Sequence, residues 1–243
     1  MAVSGKCYLS LHRYGAAANR GECLQNCRRA YRLVDPAEGH ELEREEDYFL
    51  SPKDLKTIGF LDRILGAGVR VLKIEGRARS ADYVRAATAC YGEALAAVLD
   101  GRYAEARAAG TLTELTADWD RRLGEVFNRG FWDGWYLGAQ RGERASCYGS
   151  EAAVVKVLLG VCVNHYPKAA VAEFLLESGA LSAGDEILVT GRTTGALRSA
   201  ASELRRDGTP CARAEKGATV TVPVPEKVRP GDKLYRLESR GGA

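Results

Sequence analysis

Residues 69–98 read VRVLKIEGRARSADYVRAATACYGEALAAV, and this stretch decides the predicted fold class. Its first six residues are a β-rich run, typical of a buried parallel strand. Ser80 is then expected to cap a helix, because apolar residues follow it at helical spacing. A strand followed by a helix in this way indicates parallel α/β architecture.

A second unit of the same kind precedes this stretch. Residues 48–50 predict a short apolar strand, and Ser51 is expected to cap a helix with Pro52 at its first position. Two such units cannot close a barrel, because each parallel strand needs neighbours on both edges. We therefore expect the C-terminal portion of a larger TIM-like (β/α) barrel, completed by an upstream half or by a partner chain.

The chain from residue 151 onward predicts a different architecture. Short β-rich runs alternate there with turn signals such as Gly184-Asp185 and Gly231-Asp232, which favours a small antiparallel β-barrel. We therefore expect two domains, residues 1–150 and 151–243. Residues 151–239 hold twelve basic and eleven acidic side chains, so charge gives no support for RNA binding by this second domain. The predicted strands are 152–163, 170–176, 186–190, 219–224 and 233–237.

The composition excludes several protein classes. The 243 residues are 46% hydrophobic and 28% charged, which is typical of a globular protein and excludes a disordered or fibrous one. The net charge of +3 is too small to identify a nucleic-acid or membrane-surface protein. No apolar run approaches the roughly 20 residues that span a bilayer, and the N-terminus lacks a signal-peptide pattern. A cytoplasmic protein without membrane contact is expected.

Three of the seven cysteines lie close together in a basic, polar segment. Cys7, Cys23 and Cys27 have the spacing C-x15-C-x3-C. An odd number of cysteines in a chain of this size argues against a disulfide framework, whereas a polar segment suits thiolate ligands. Zinc is one alternative, although its usual pair spacing occurs only once here. An iron-sulfur cluster tolerates the irregular spacing, and three unrelated thiols are a further alternative.

Other catalytic signatures are missing from the sequence. It contains no G-x-S-x-G, no H-E-x-x-H, no phosphate-binding loop and no G-x-G-x-x-G. Nucleotide cofactors and the familiar hydrolase motifs therefore have no support.

Several runs of residues resemble the collagenase-like peptidase family U32. The similarity extends over nearly the whole chain, including residues 171–174 and 182–187 of the second domain. The matching runs are AVSGKCYLS at 2–10, NRGEC at 19–23, QNCR at 25–28, LSPKDL at 50–55, VLKIEGR at 71–77 and FNRGFWDG at 127–134.

The resemblance implies a fold and a range of activities. The fold expected for the family is a TIM-like barrel followed by a β-barrel similar to those of translation factors. This chain is expected to begin late in the TIM-like barrel. Characterised members take part in hydroxylation of the tRNA wobble uridine with prephenate as co-substrate, of a 23S rRNA cytidine, or of ubiquinone. The older peptidase label rests on a collagenase report. The resemblance thus implies tRNA or rRNA as a partner, with proteolysis or a non-catalytic binding fragment as alternatives.

The resemblance also implies a cofactor. Cys7, Cys23 and Cys27 correspond to three ligands of a 4Fe-4S cluster. The fourth cysteine of the family pattern falls just before Met1, so we expect a chain truncated at its N-terminus, with the fourth ligand outside it. The three sulfur atoms are expected to lie within about 10 Å of one another.

Six further residues are candidates for the site. Glu75 and Arg77 follow a predicted barrel strand and are expected at its C-terminal rim as catalytic residues, where active sites on this fold collect. Arginine can also bind phosphates or the carboxylates of prephenate. The predicted substrate-binding residues are Arg20, Arg28, Lys53 and Asp54.

Overall fold

The computed structural model divides the chain into two compact units. Residues 1–78 and 90–151 form the first, which we call the cysteine unit, and residues 79–89 and 152–243 form the second, the sheet unit. The structure describes residues 2–3, 6–20, 22–41, 48, 50–76, 79–138, 144–147 and 149–241.

The cysteine unit begins with a short hairpin that leads into a helix. Strands β1 (Ala2–Val3) and β2 (Lys6–Cys7) pair antiparallel. Helix α1 (Tyr8–Tyr14) follows directly and ends at Gly15, whose φ of 65° is a left-handed conformation that glycine adopts without strain. Two 3-10 helices come next, Ala18–Arg20 and Asn26–Arg28.

Three further helices and the C-terminal part of a fourth, from residue 90, belong to this unit. Their packing centres on Tyr103, which is 1% exposed, donates a hydrogen bond of 2.6 Å to the Ile58 carbonyl and stacks on Trp119. A phenol buried in this way keeps its hydroxyl partnered while its ring fills the core. The helices are α2 (Leu61–Gly66), α3 (Ala81–Leu99), α4 (Arg102–Ala109) and α5 (Leu112–Glu125).

The predicted helix after Ser51 begins later than expected. Residues Asp54–Leu55 form strand β3, which pairs in parallel with β4 (Phe131–Trp132), and α2 starts only at Leu61. Ser51 does not cap a helix. Its buried hydroxyl instead accepts a hydrogen bond from Arg28. The segment that follows Ser51 is extended and pairs with β4.

The predicted barrel strand at 69–74 is absent from the structure. These residues lie in the described part of the chain, have no regular secondary structure, and include Val71 at 83% exposure. A β-rich run becomes a strand only when another strand satisfies its amide and carbonyl groups. Within the described residues the only parallel pair is β3 with β4, so the TIM-like barrel is not confirmed.

The sheet unit contains the antiparallel strands that the sequence predicts. Eight strands form one sheet in the order β11-β10-β13-β6-β5-β14-β8-β9, and β7 pairs with β12. The strands are β5 (Val154–Tyr166), β6 (Val171–Leu176), β7 (Ala180–Ser182), β8 (Glu186–Gly191), β9 (Gly195–Ala200), β10 (Arg205–Arg206), β11 (Thr209–Pro210), β12 (Arg213–Glu215), β13 (Thr219–Pro223) and β14 (Lys233–Ser239).

The core of the sheet unit follows from alternation along its strands. In β6 the residues Ala172, Phe174 and Leu176 are buried, whereas the residues between them are partly exposed. The same period of two appears in β13, where Val220 and Val222 are buried. These side chains belong to one continuous apolar cluster within the unit.

No helix among the described residues is long and apolar enough to cross a membrane.

Candidate functional site

The candidate site begins at Cys7, where strand β2 meets helix α1. Its side chain is buried, and Ser10, in the first turn of α1, is completely enclosed. The Ser10 hydroxyl accepts a hydrogen bond of 3.3 Å from the Leu24 amide and lies 3.9 Å from the Cys23 sulfur. A single buried hydroxyl therefore connects the segment of Cys7 to that of Cys23.

The cysteine thiols influence one another's ionisation. Hydrogen bonds from the side chain and backbone of Ser10 lower the pKa of Cys7 against the opposing effect of burial, and a hydrogen bond with the Cys23 thiol adds to the lowering. Burial raises the pKa of Cys27. Charge on Cys7 and Cys23 raises it further, while the positive charge of Arg28 opposes the rise. The surroundings of Cys7 thus favour its thiolate, whereas those of Cys27 favour its thiol.

Asn26 is a polar residue left without partners beside Cys27. Its side chain is 2% exposed, and neither its amide nitrogen nor its oxygen has a hydrogen-bond partner among the described residues. Its carbonyl is used, since it accepts a hydrogen bond of 2.7 Å from the Tyr31 hydroxyl. A buried amide with both polar atoms unsatisfied costs free energy, so such a group points to a ligand that completes the site.

Arg28 ties the cysteine segment to the segment before β3. Its guanidinium donates hydrogen bonds of 3.0 Å to the Ser51 hydroxyl and 2.8 Å to the Pro52 carbonyl. The Ser51 carbonyl in turn accepts from the Ala145 amide at 2.7 Å. These contacts give Arg28 a structural role, and its predicted role in substrate binding stays a prediction.

Asp54 has a similar structural partner. Its carboxylate accepts a hydrogen bond of 3.1 Å from the Arg129 amide, and the Arg129 guanidinium lies 3.7 Å away. Lys53 lies beside Gly130, where a Cβ would approach its methylenes to 3.4 Å. Gly130 has a φ of 73°, so the backbone of the loop before β4 requires glycine here. The structure places Asp54 and Lys53 together at this loop, and their substrate-binding roles stay predictions.

The remaining predicted site residues are less closely placed. Arg20 is exposed at the end of its 3-10 helix, and Glu75 is exposed in an irregular segment. Arg77 lies outside the described residues. The sequence predicts Glu75 and Arg77 at the rim of a barrel, directly after a strand at 69–74. No strand forms there, and the catalytic role of both residues stays a prediction.

The chemistry of the cysteines fits an iron-sulfur cluster, but the described residues do not form a group of three ligands. Cys7 has a lowered pKa and contacts Cys23, as thiolate ligands require. Among the described residues, however, no three His, Cys, Asp or Glu side chains are grouped so that they could hold a metal ion. A cluster would need Cys27 as a third ligand beside Cys7 and Cys23. Cys27 lies next to Asn26, whose side-chain amide is unsatisfied.

Two residues of this site escaped the sequence interpretation. Ser10 follows Cys7 by three positions, and this spacing in the first turn of a helix is the signal that could have found it. Arg129 lies in the matched run 127–134 and could have been paired with Asp54 only through the β3–β4 contact.

Comparisons with known proteins place the chain among relatives with two kinds of name. Residues 1–146 match the model of Peptidase family U32. The collagenase of Porphyromonas gingivalis is 49% identical over 240 residues, which are 99% of this chain and 56% of that protein. The chain thus spans little more than half the length of this relative.

Two further relatives are named for RNA. The 23S rRNA 5-hydroxycytidine synthase of Escherichia coli is 41% identical over 114 residues, 47% of this chain and 17% of that protein. A tRNA hydroxylation protein of Bacillus subtilis is 42% identical over 95 residues, 37% of this chain and 22% of that protein.

Proposed function

The chain belongs to peptidase family U32, and we propose that it carries the cysteine site of an RNA-hydroxylation protein. The observation that supports this most is the contact of Cys7 with Ser10 and Cys23, which favours a thiolate in a buried polar setting. An iron-sulfur cofactor needs thiolate ligands, whereas a peptidase does not need three cysteines in one polar segment. Relatives named for rRNA and tRNA hydroxylation support the same proposal.

In this proposal Cys7, Cys23 and Cys27 hold an iron-sulfur cluster of the 4Fe-4S type. When bound, the cluster supplies electron transfer. Ser10 lowers the pKa of Cys7 by hydrogen bonding, and Arg28 fixes the segment that carries Cys27 through its bonds to Ser51 and Pro52.

The proposed substrate is a pyrimidine of RNA, with the tRNA wobble uridine as the specific target. An acidic co-substrate such as prephenate would be bound by an exposed cation, for which Arg20 is the candidate. The activity is proposed for a protein of the length of these relatives, of which the collagenase spans nearly twice the length of this chain.

Loading with iron and sulfide under anaerobic conditions tests the cofactor. We expect the protein to take up both elements and to gain a broad visible absorption. Cys7→Ser, Cys23→Ser and Cys27→Ser should each lower the iron content severalfold. The matched control Cys211→Ser, in the sheet unit, should load as the unchanged protein does. Equal loading of all four variants would contradict the cysteine site.

A peptidase is the second candidate, and the 49% identity to a protein named collagenase favours it. Incubation of metal-free protein with gelatin distinguishes the two proposals. Cleavage that persists in the Cys7→Ser variant would support proteolysis at a different site and would count against the RNA proposal.

A further inference from the structure

A cavity of about 440 Å³ opens within the sheet unit, apart from the cysteines. It lies between the beginning of α3, the beginning of β5, the turn from β8 to β9 and the start of β14. The polar side chains that line it include Ser80, Asp82, Lys156, Arg192 and Lys233. Ligand sites are concave and carry a few convergent polar groups, so this cavity has the form of a binding site.

The charge of the lining is positive. Lys156 binds the Asp82 carboxylate at 3.0 Å and the Ser80 hydroxyl at 3.2 Å, so these two charges neutralise each other. The side chains of Arg192 and Lys233 have no ion-pair or hydrogen-bond partner in the part of the chain that the structure describes. Two cations therefore face the same space without a counter-ion, although the domain as a whole is nearly neutral.

The turn that carries Arg192 is held firmly by Asp232. This carboxylate is 6% exposed and accepts hydrogen bonds of 2.5 Å from the Thr194 hydroxyl and 2.9 Å from the Arg229 amide. Gly191 lies directly against it, and a Cβ at this position would overlap the carboxylate. Asp232 is thus occupied beneath the turn, and the wall of the cavity is pre-formed.

The beginning of α3 adds a further attraction for anions. The helix has 19 residues and starts at Ala81, which lines the cavity beside Ser80 and Asp82. The first amide groups of a helix have no partner within it, and the helix dipole is positive at this end. Its effect here adds to that of the two unpaired cations.

We propose that this cavity binds a phosphate group of an RNA strand. The proposal rests on the proposed function, since RNA is the substrate there. A guanidinium and an ammonium that face one space can share the oxygens of one phosphodiester, and the arginine can bind two oxygens at once. The sheet unit would then hold the RNA backbone, while the pyrimidine that reacts lies elsewhere.

Binding of a fluorescein-labelled anticodon stem-loop RNA tests the inference. Fluorescence anisotropy is measured at several salt concentrations for the unchanged chain and for the double variant Arg192→Gln/Lys233→Gln. The matched control is Lys168→Gln/Lys216→Gln, which removes the same charge from exposed lysines outside the cavity. Thermal melting checks that all three proteins fold.

We expect the cavity variant to weaken RNA binding by on the order of tenfold and to reduce the slope of log affinity against log salt by about one to two. The control should bind nearly as the unchanged chain does. Equal weakening in both variants, or in neither, would overturn the inference.

Two further outcomes separate the inference from the proposed function. If the cavity variant loses RNA affinity but RNA hydroxylation does not depend on the protein, the phosphate site stands and the proposed function fails. If inorganic phosphate or a free nucleotide raises the melting temperature of the unchanged chain while the cavity variant binds RNA normally, the site takes a small anion and the RNA assignment is overturned.

Discussion

At the scale of single residues, Ser10 lowers the pKa of Cys7 and connects the segment of Cys7 to that of Cys23. The Ser10 side chain is fully buried, and its hydroxyl accepts a hydrogen bond from the Leu24 amide and contacts the Cys23 sulfur. Hydrogen bonds from Ser10 are also the main cause of the lowered pKa of Cys7. A hydrogen bond to a thiolate stabilises the charged form, so its loss raises the pKa.

The variant Ser10→Ala should therefore shift the ionisation of Cys7 to higher pH. The thiolate absorbs in the ultraviolet, and its titration is read as the difference between each protein and its Cys7→Ser counterpart. We expect the midpoint to rise by about one pH unit, because the variant loses the side-chain hydrogen bond to the thiolate and keeps the backbone one.

Ser199→Ala, in the sheet unit, is the control for this titration and should leave it unchanged. An unaltered Cys7 midpoint in Ser10→Ala would mean that another group sets the ionisation.

At the scale of elements, an ion pair joins α2 to α4. The guanidinium of Arg107 donates two hydrogen bonds of 2.8 Å to the Asp62 carboxylate. Burial would raise the pKa of Asp62, but the hydrogen bonds and charge of Arg107 outweigh it and hold this pKa below its usual value. A carboxyl with a lowered pKa stabilises the fold above its unfolded pKa of about 3.9, and this contribution is lost as the pH falls through the folded value.

Replacing Asp62 by Asn should lower the free energy of unfolding by about 1 kcal/mol at neutral pH. The difference from the unchanged protein should shrink as the pH falls below about 4. Urea unfolding followed by tryptophan fluorescence measures it, since Trp119, Trp132 and Trp135 all lie in the cysteine unit.

Asp207→Asn, at a side chain that is 90% exposed, is the control for this measurement and should change nothing. A stability difference in Asp62→Asn that persists at the lowest pH would contradict a role for the carboxylate charge.

Elements of the sheet unit could be predicted because each strand carries its own alternating pattern. Ala172, Phe174 and Leu176 show this, and turn residues such as Gly184 mark where the strands end. The pattern around Ser51 gave a wrong helix start, because a cap residue followed by apolar residues suits both a helix and the extended segment that pairs with β4. That pairing joins residues more than seventy positions apart, which no local pattern reports.

At the scale of the whole molecule, the sheet unit has a core of its own. The buried cluster consists of residues between 159 and 234, with Phe174 completely enclosed at its centre. A fragment of residues 152–241 should therefore fold alone, with a cooperative thermal transition and a β-type circular dichroism spectrum. A helical or disordered spectrum would contradict a self-contained unit.

Within that fragment, Phe174→Ala should cost about 3–5 kcal/mol of stability, because it leaves a cavity in a packed core. Val163→Ala, at a partly exposed site in the same sheet, is the control and should cost less than about 1 kcal/mol. Similar losses in both variants would show that Phe174 is not at the centre of the core.

The cysteine site could be predicted only in its residue types. The spacing of Cys7, Cys23 and Cys27 in a polar segment indicates ligands, but it does not report Ser10, which lies between the segments in space. The phosphate cavity could not be predicted at all. Its lining combines α3 with four strands, β5, β8, β9 and β14, and the nearly balanced charge of the domain conceals two unpaired cations.

Hydroxylated pyrimidines in cellular RNA test the central claim most directly. Nucleosides from cells that lack the gene are compared by mass spectrometry with those from cells that regain the unchanged, Cys7→Ser or Cys211→Ser protein. We predict that the unchanged protein and Cys211→Ser restore a hydroxylated uridine or cytidine and that Cys7→Ser does not. Full restoration by Cys7→Ser, or the absence of any hydroxylated nucleoside that depends on the gene, would contradict the account.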